Sequence, residues 1–350
     1  GTHSWQQTFS AFRDWRMLYI FLLGCSSGFP WVLVGSAMSG WLSDANLSRA
    51  AIGYFGSVTV VYAINFLWAP LLDRVKLPWI CARLGQRRGW IILMQGLMLL
   101  ATLGIALTDP ATAIIWTSLL ALCVTTCSAT QDVAIDAYRI DIIGADSGRV
   151  SPAAALGVIG WWTGYSLPGF LAFHYADILG WNQVYILLAA VMGLMMVFTL
   201  FVREPGNERE LLQADAESRY SQRLGLSRGW WARFMVRISV TVLEPFADFV
   251  RRNGLQLALM IFAFVFLFKL GEAFLGRMSI QFYREVGFSN DQIADYSKLV
   301  GWGATCVFTL LGSFINVRFG LVRGLFIGGV AMAASNLMFA LIAMTGPSEP

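Results

Sequence analysis

Long apolar runs constrain this chain more than any other feature of its sequence. A helix needs about 20 largely apolar residues to cross the hydrocarbon core of a bilayer. Nine such runs stand between loop residues, at roughly 17–42, 51–70, 89–108, 112–138, 153–175, 183–202, 255–283, 291–315 and 324–345. Charge is correspondingly scarce: Asp, Glu, Lys and Arg make up 13% of the residues, against about 25% in soluble domains. Strands of a membrane barrel would alternate apolar and polar residues over about 10 positions, which "MLYIFLLGC" and "LLAAVMGLMMVFTLFV" do not. The run opening at Met17 leads straight into further spans and has no signal-peptide cleavage site. The expected fold class is all-α integral membrane.

Lysine and arginine set the orientation. Twenty of the 25 lie in segments that share one side of the membrane, two (Arg49 and Arg284) lie in the opposite loops, and three lie within spans. The positive side is cytoplasmic, so residues 1–16 form a cytoplasmic tail. Residues 17–202 form a six-helix half, 203–254 a polar cytoplasmic linker, and 255–350 three helices of a second half. Within the linker, 230–250 mixes Trp, Phe, Val and Ile with Arg and reads either as an interfacial amphipathic helix or as a partly ordered connection. "NLSRAAIGYFG" before the second run and "GFSNDQIADYS" before the eighth match Ser48 to Ser289 and Ile52 to Ile293 at an offset of 241. Such repeats are common in transporters. A second half as long as the first would run beyond residue 350, so the expectation is a chain that lacks its C-terminal part.

Several classes are excluded early. A net charge of +4 is too slight for a nucleic-acid partner. Cys25, Cys123, Cys127 and Cys306 sit in apolar runs and Cys81 in a basic loop, which suits reduced packing thiols better than a disulfide framework. With two histidines, one in the tail (His3) and one near the outer end of the fifth run (His174), no metal spacing is visible, and no cofactor is expected. GxxxxGK[ST], HExxH and serine-elbow motifs are absent from the sequence, so no enzyme is expected.

Charges inside the spans are the sharper signal, because each is costly in the bilayer and by default faces the bundle interior or a watery cavity. In "CSATQDVAIDAYRID", Asp132, Asp136 and Arg139 stack on one helical face. Asp136 and Arg139 suit a structural or gating pair. Asp132 suits reversible protonation or a plain hydrogen-bonded carboxylate. In "FLFKLGEAFLGRMS", Lys269 and Glu272 stand three apart with Arg277 close around the helix. They form either a structural ion pair, or a site where Lys269 or Arg277 receives an anion while Glu272 exchanges a proton. Lys298 adds a further cation to the same half, and the three cations suggest a negatively charged solute. Between the second and third runs, Asp73, Arg74, Arg87 and Arg88 read either as a two-state cytoplasmic latch or as positive-inside decoration. Trp161, Trp162 and Tyr165 in "GWWTGYSLPG" offer faces for sugar rings or for the lipid interface. Gly28 and Pro30, and Gly160 to Pro168, predict kinks and open surface in the first and fifth runs.

Taken together, "GCSSGFPWVLVGS", "NFLWAPLLDR", "GQRRGW", "ATQDVAIDAYR" and "FLFKLGEAF" resemble the AmpG-type anhydromuropeptide permeases, a branch of the major facilitator superfamily, from about residue 11 to 345. The resemblance implies two six-helix halves that rock to alternate access. It implies import of N-acetylglucosaminyl-anhydro-N-acetylmuramyl peptides with protons across the bacterial inner membrane for peptidoglycan recycling, with an influence on β-lactamase induction. It adds Gln131 and Asn65 to the expected substrate-binding set. The expected partners are an anionic glycopeptide, protons and the bilayer, with the protein acting as a monomer. Sister permeases carrying siderophores or acetyl-CoA keep the fold and change the cargo. A transport-inactive sensor or scaffold would not need to bear the cost of the buried charges.

Overall fold

The computed structural model describes residues 13–48, 55, 57–65, 68–69, 72, 75–144, 146–206, 250–252, 254–261, 263–264, 267 and 299–345. Asp73, Arg74, Lys269, Glu272, Arg277 and Lys298 lie outside the described residues, as do the 230–249 stretch and the 287–297 copy of the repeat. The chain divides into two compact units, residues 1–205 with 294–336, and residues 206–293 with 337–350. The candidate site lies wholly in the first.

Helix α1 (Trp15–Gly28) starts at Asp14, whose carboxylate accepts from the N–H of Arg16 at 3.0 Å and satisfies one of the otherwise unpaired amides of the first turn. Pro30 carries no N–H to continue the ladder. Just beyond it, Val32–Ser36 widens into a π turn before α2 (Ala37–Asp44) resumes the helix. Within that turn the Leu33 carbonyl gains the Tyr185 hydroxyl at 2.6 Å, an internal partner where lipid offers none. Short turns follow, a 3-10 segment at Ser57–Val60, α3 (Val61–Ile64) and α4 (Ile80–Leu84).

Longer helices build the rest: α5 (Gln86–Ala106), α6 (Ile114–Ile143), α7 (Ser147–Leu179), α8 (Trp181–Phe201), α9 (Gly301–Phe319) and α10 (Leu321–Thr345). Gly180 and Gly320, at φ 79° and 86°, end α7 and α9 and let the next helix start at the following residue. Among the described residues, five helical stretches are long and apolar enough to span a bilayer: Trp15–Leu42, Gln86–Ala106, Ile114–Ile143, Trp181–Phe201 and Val322–Met344. At 33 residues α7 is also long enough. Its Trp, Tyr, Ser, Gly and Pro lower its hydropathy because much of it faces protein.

The main core of the first unit gathers Phe29, Leu33, Met38, Met98, Ile105, Tyr185 and Met192 from α1 through α8. A second cluster joins Leu23, Leu72, Ile91, Ala134 and Tyr138. Outward-facing Leu100, Ile115, Trp116 and Phe201 stay exposed, as a lipid-facing surface requires.

The α1–α7 contact is the most extensive between described helices, and glycine makes it. A β-carbon on Gly28 would run into the Trp161 carbonyl, one on Gly160 into the Phe21 carbonyl, and one on Gly164 into the Cys25 carbonyl. Gly24 faces the Gly157 carbonyl, with 2.8 Å left for a β-carbon. Gly24 with Gly28, and Gly160 with Gly164, are small-xxx-small pairs, which let helix backbones touch in a membrane. The expected open glycine surface is therefore filled. Helix α7 also runs without a break through Pro152 and Pro168. On its other side, Ser151 and Ser313 of α9 share a hydroxyl–hydroxyl bond at 3.0 Å, and the Trp302 indole donates to Thr163 at 3.0 Å.

Candidate functional site

Polar residues of α6 concentrate between Ser128 and Asp132, and each turns toward another element. The Tyr62 hydroxyl donates to Ser128 Oγ at 2.7 Å, the Trp68 indole to Thr130 Oγ1 at 3.1 Å, and Asn65 Nδ2 to the Ala129 carbonyl at 3.4 Å. Gln131 is fully buried; its Nε2 donates to the Ser26 carbonyl at 2.8 Å, while its Oε1 has no partner among the described residues. Ser27 Oγ donates to Asp132 Oδ1 at 2.5 Å. A helix spanning lipid must satisfy such groups internally, and α6 does so by stitching itself to α1 and to the 57–69 segment.

Asp132 opens onto a cavity of about 290 Å³ between α1, α6 and α7. Ser27 and Gly24 line it from α1, Asp132, Asp136 and Arg139 from α6, and Gly157 and Trp161 from α7. Arg139 Nη2 meets Asp136 Oδ1 at 2.8 Å. Gly157 leaves room for that guanidinium, since a β-carbon there would stand 2.8 Å from Arg139 Nη1. Among the described residues Asp132 has no basic partner. The cavity wall thus carries two carboxylates against one guanidinium. Above it the aromatic rings pack on one another: Trp161 on Tyr165 (5.4 Å, stacked), Trp161 against Trp162 (5.4 Å, edge-on), and Trp31 on Tyr62 (4.5 Å, stacked). Of Trp161, Trp162 and Tyr165, only Trp161 lines the cavity.

Arginines fasten the end of the unit where α5 begins and α8 finishes. Glu204, just past α8, places both carboxylate oxygens on the first turn of α5, accepting from the N–H of Arg87 at 2.6 Å and of Arg88 at 3.0 Å. A carboxylate suits the positive end of a helix. Gly85 is required beneath it, with φ 88° and a would-be β-carbon meeting the Glu204 side chain. Burial pushes the Glu204 carboxyl above the usual carboxylate range, while the N–H groups and guanidinium charges of Arg88 and Arg87 pull it back. Arg87 also pairs with Asp141 of α6 at 3.0 Å, both side chains being at most 10% exposed. Arg88 reaches the Val202 and Leu200 carbonyls at 2.6 and 3.1 Å. Arg149 of α7 pairs with Asp14 at 2.9 Å.

Of the residues singled out from sequence, the structure brings Asp132, Asp136, Arg139 and Trp161 to one cavity. Gln131 and Asn65 are in bonds between elements, Trp162 and Tyr165 in the adjoining aromatic cluster, and Arg87 and Arg88 in a separate network at the start of α5. His174 is exposed and stacks on Phe170 at 5.8 Å. Sequence reasoning missed Ser27, Tyr62, Asp141 and Glu204. Ser27 bonds across 105 residues and Glu204 across 117, and local spacing carries no trace of either. Among the described residues no cluster of His, Cys, Asp or Glu could hold a metal ion.

Comparison with known proteins fits this geometry into a family. The family model for the Major Facilitator Superfamily matches residues 11–348. The chain belongs to the Major Facilitator Superfamily. It is thus a multi-pass membrane protein of a transporter family, with that family's all-α fold. Among superfamily relatives, a Rickettsia felis protein named as transporter AmpG 4 is 30% identical over 339 residues, covering 96% of this chain and 76% of the relative. The anhydromuropeptide permease of Escherichia coli K12 is 31% identical over 336 residues. The chain spans 62% of that permease's length, and 95% of the chain is covered. Among solved structures, the proton:xylose symporter XylE bound to 6-bromo-6-deoxy-D-glucose aligns with a TM-score of 0.56 at 14% identity, over 90% of this chain and 70% of its own, a likeness of fold.

Proposed function

We propose that the protein is a secondary transporter that imports anhydromuropeptides from periplasm to cytoplasm by alternating access, coupled to protons. The reading rests on similarity to the Escherichia coli anhydromuropeptide permease along nearly the whole chain. The observation that carries its mechanism is Asp132, a carboxylate at membrane depth that faces a cavity with a hydroxyl as its partner. A group so held changes its bonding when it gains or loses a proton, and a transporter needs such a group between its two sides.

In this reading Asp132 and Glu272 exchange protons. Lys269, Arg277 and Lys298 receive the cargo's anionic groups, with Gln131, Asn65, Trp161, Trp162 and Tyr165 shaping the path. Asp73, Arg74, Arg87, Arg88, Asp136 and Arg139 gate the cytoplasmic side, joined by Asp141 and Glu204. The halves are 17–202 and 255 onward, linked by 203–254 in a monomer of the bacterial inner membrane with a cytoplasmic N-terminus. The test is uptake of labelled anhydromuropeptide by cells that lack their own permease and express the whole gene, with and without a protonophore. Uptake that the protonophore abolishes supports cargo and coupling together. Absence of uptake despite membrane expression, with uptake of a siderophore in its place, would overturn the cargo.

A further inference from the structure

The Asp136–Arg139 pair has an arrangement that a purely structural ion pair does not need. It joins neighbours on one helix rather than two elements, so it fastens nothing. Its partners remain 64% and 36% exposed at the cavity wall, whereas Arg87 and Asp141, which do tie two helices together, are 10% and 8% exposed. Among the described residues Arg139 meets no acceptor but Asp136, which takes Nη2 alone. Gly157 on the facing helix makes room for the guanidinium at the cavity wall, where any β-carbon would crowd Nη1.

We propose that this pair is a binding subsite for a zwitterionic amino-acid end, an ammonium and a carboxylate on one carbon, carried by a peptide-bearing cargo. The ammonium replaces Arg139 at Asp136, and the carboxylate replaces Asp136 at Arg139. Each protein charge exchanges one opposite partner for another, so the cavity gains no net charge and no group is left desolvated without a partner. A planar guanidinium receives a carboxylate through two parallel N–H bonds, a geometry that the single Asp136 contact leaves unused. Trp161 supplies an apolar wall beside it, and Asp132, one turn away on α6, remains the proton site. The pair assigned to gating is then opened by the cargo's own charges. This inference rests on the muropeptide reading above and adds that the transporter senses the peptide's free end.

The experiment compares three labelled cargoes in cells expressing the whole gene. They are an anhydromuropeptide with a free amino-acid end on its peptide, the same molecule N-acetylated at that amine, and the anhydrodisaccharide without peptide. Acetylation is expected to raise the wild-type KM roughly tenfold, the scale of losing one charge-assisted contact. In Asp136→Asn, which removes the ammonium's partner, the free and acetylated forms are expected to converge, whereas Arg139→Gln keeps Asp136 and should raise KM for both while keeping the preference. Equal KM values for the two forms in wild type, with disaccharide uptake intact, would overturn the subsite and leave the transport reading standing. A preference that survives in Asp136→Asn would also overturn it. If wild type takes up none of the three, both readings fall.

Discussion

Along α7, helix α1 meets backbone: Gly24 and Gly28 lie against Gly157, Trp161 and their neighbours with no room for a β-carbon. Along α6 the same helix meets side chains, through the Ser27–Asp132 and Gln131–Ser26 bonds. The first seam is set by main-chain atoms that no proton or ligand alters. The second is made of groups whose bonding depends on protonation and on what fills the cavity beside them. One helix is thus held rigidly on one side and conditionally on the other, and the conditional side is where a transport cycle can act.

Substitution at the glycine seam should break the molecule most severely. Gly164→Ala drives a methyl group into the Cys25 carbonyl and should cost about 3 kcal/mol or more, seen as loss of monodisperse protein after detergent extraction. Gly312→Ala on α9, where a β-carbon meets nothing within 4 Å, should leave the yield unchanged. Equal yields of the two variants would remove the seam from the account.

At the start of α5 the expected effect is smaller. Glu204→Ala uncaps α5 and should cost about 1 kcal/mol, lowering Tm. The same carboxyl gives a pH dependence of defined sign. Because burial raises its folded pKa above the unfolded value, its contribution to stability is full below about pH 4 and is lost as pH rises through the folded pKa. Glu204→Gln should therefore flatten the fall of Tm as pH rises from about 4 through the folded pKa; an unchanged profile would mean that the group does not titrate differently on folding.

The polar seam should prove cheaper still to alter. Gln131→Leu loses the bond to Ser26 but also removes a buried oxygen that has no partner among the described residues. The two effects offset, and a net cost below about 1 kcal/mol is expected. A Tm drop as large as that of Gly164→Ala would show that the polar seam, too, is structural. Asp132→Asn keeps an oxygen for the Ser27 hydroxyl and should leave stability nearly untouched.

Much of this was legible in the sequence, for physical reasons. A bilayer demands long apolar helices, so runs such as 17–42, 89–108, 112–138 and 183–202 were visible as spans, and helical periodicity placed Asp132, Asp136 and Arg139 on one face. Gly28 with Pro30, and Gly160 to Pro168, read as kinks and open surface in the sequence, whereas Gly28, Gly160 and Gly164 close the α1–α7 seam, because a glycine shows what it is for only once the facing helix is known. Partners contributed by distant segments could not be read. That Ser27 holds Asp132, or that Glu204 caps α5, depends on which helices become neighbours, and one chain's local pattern does not encode that pairing.

The most direct test is accumulation of labelled anhydromuropeptide in proteoliposomes under an imposed pH gradient, wild type beside Asp132→Asn, with counterflow exchange measured in parallel. The account predicts that wild type concentrates the cargo, and that Asp132→Asn exchanges it across the membrane but no longer concentrates it. Accumulation by Asp132→Asn equal to wild type would contradict it.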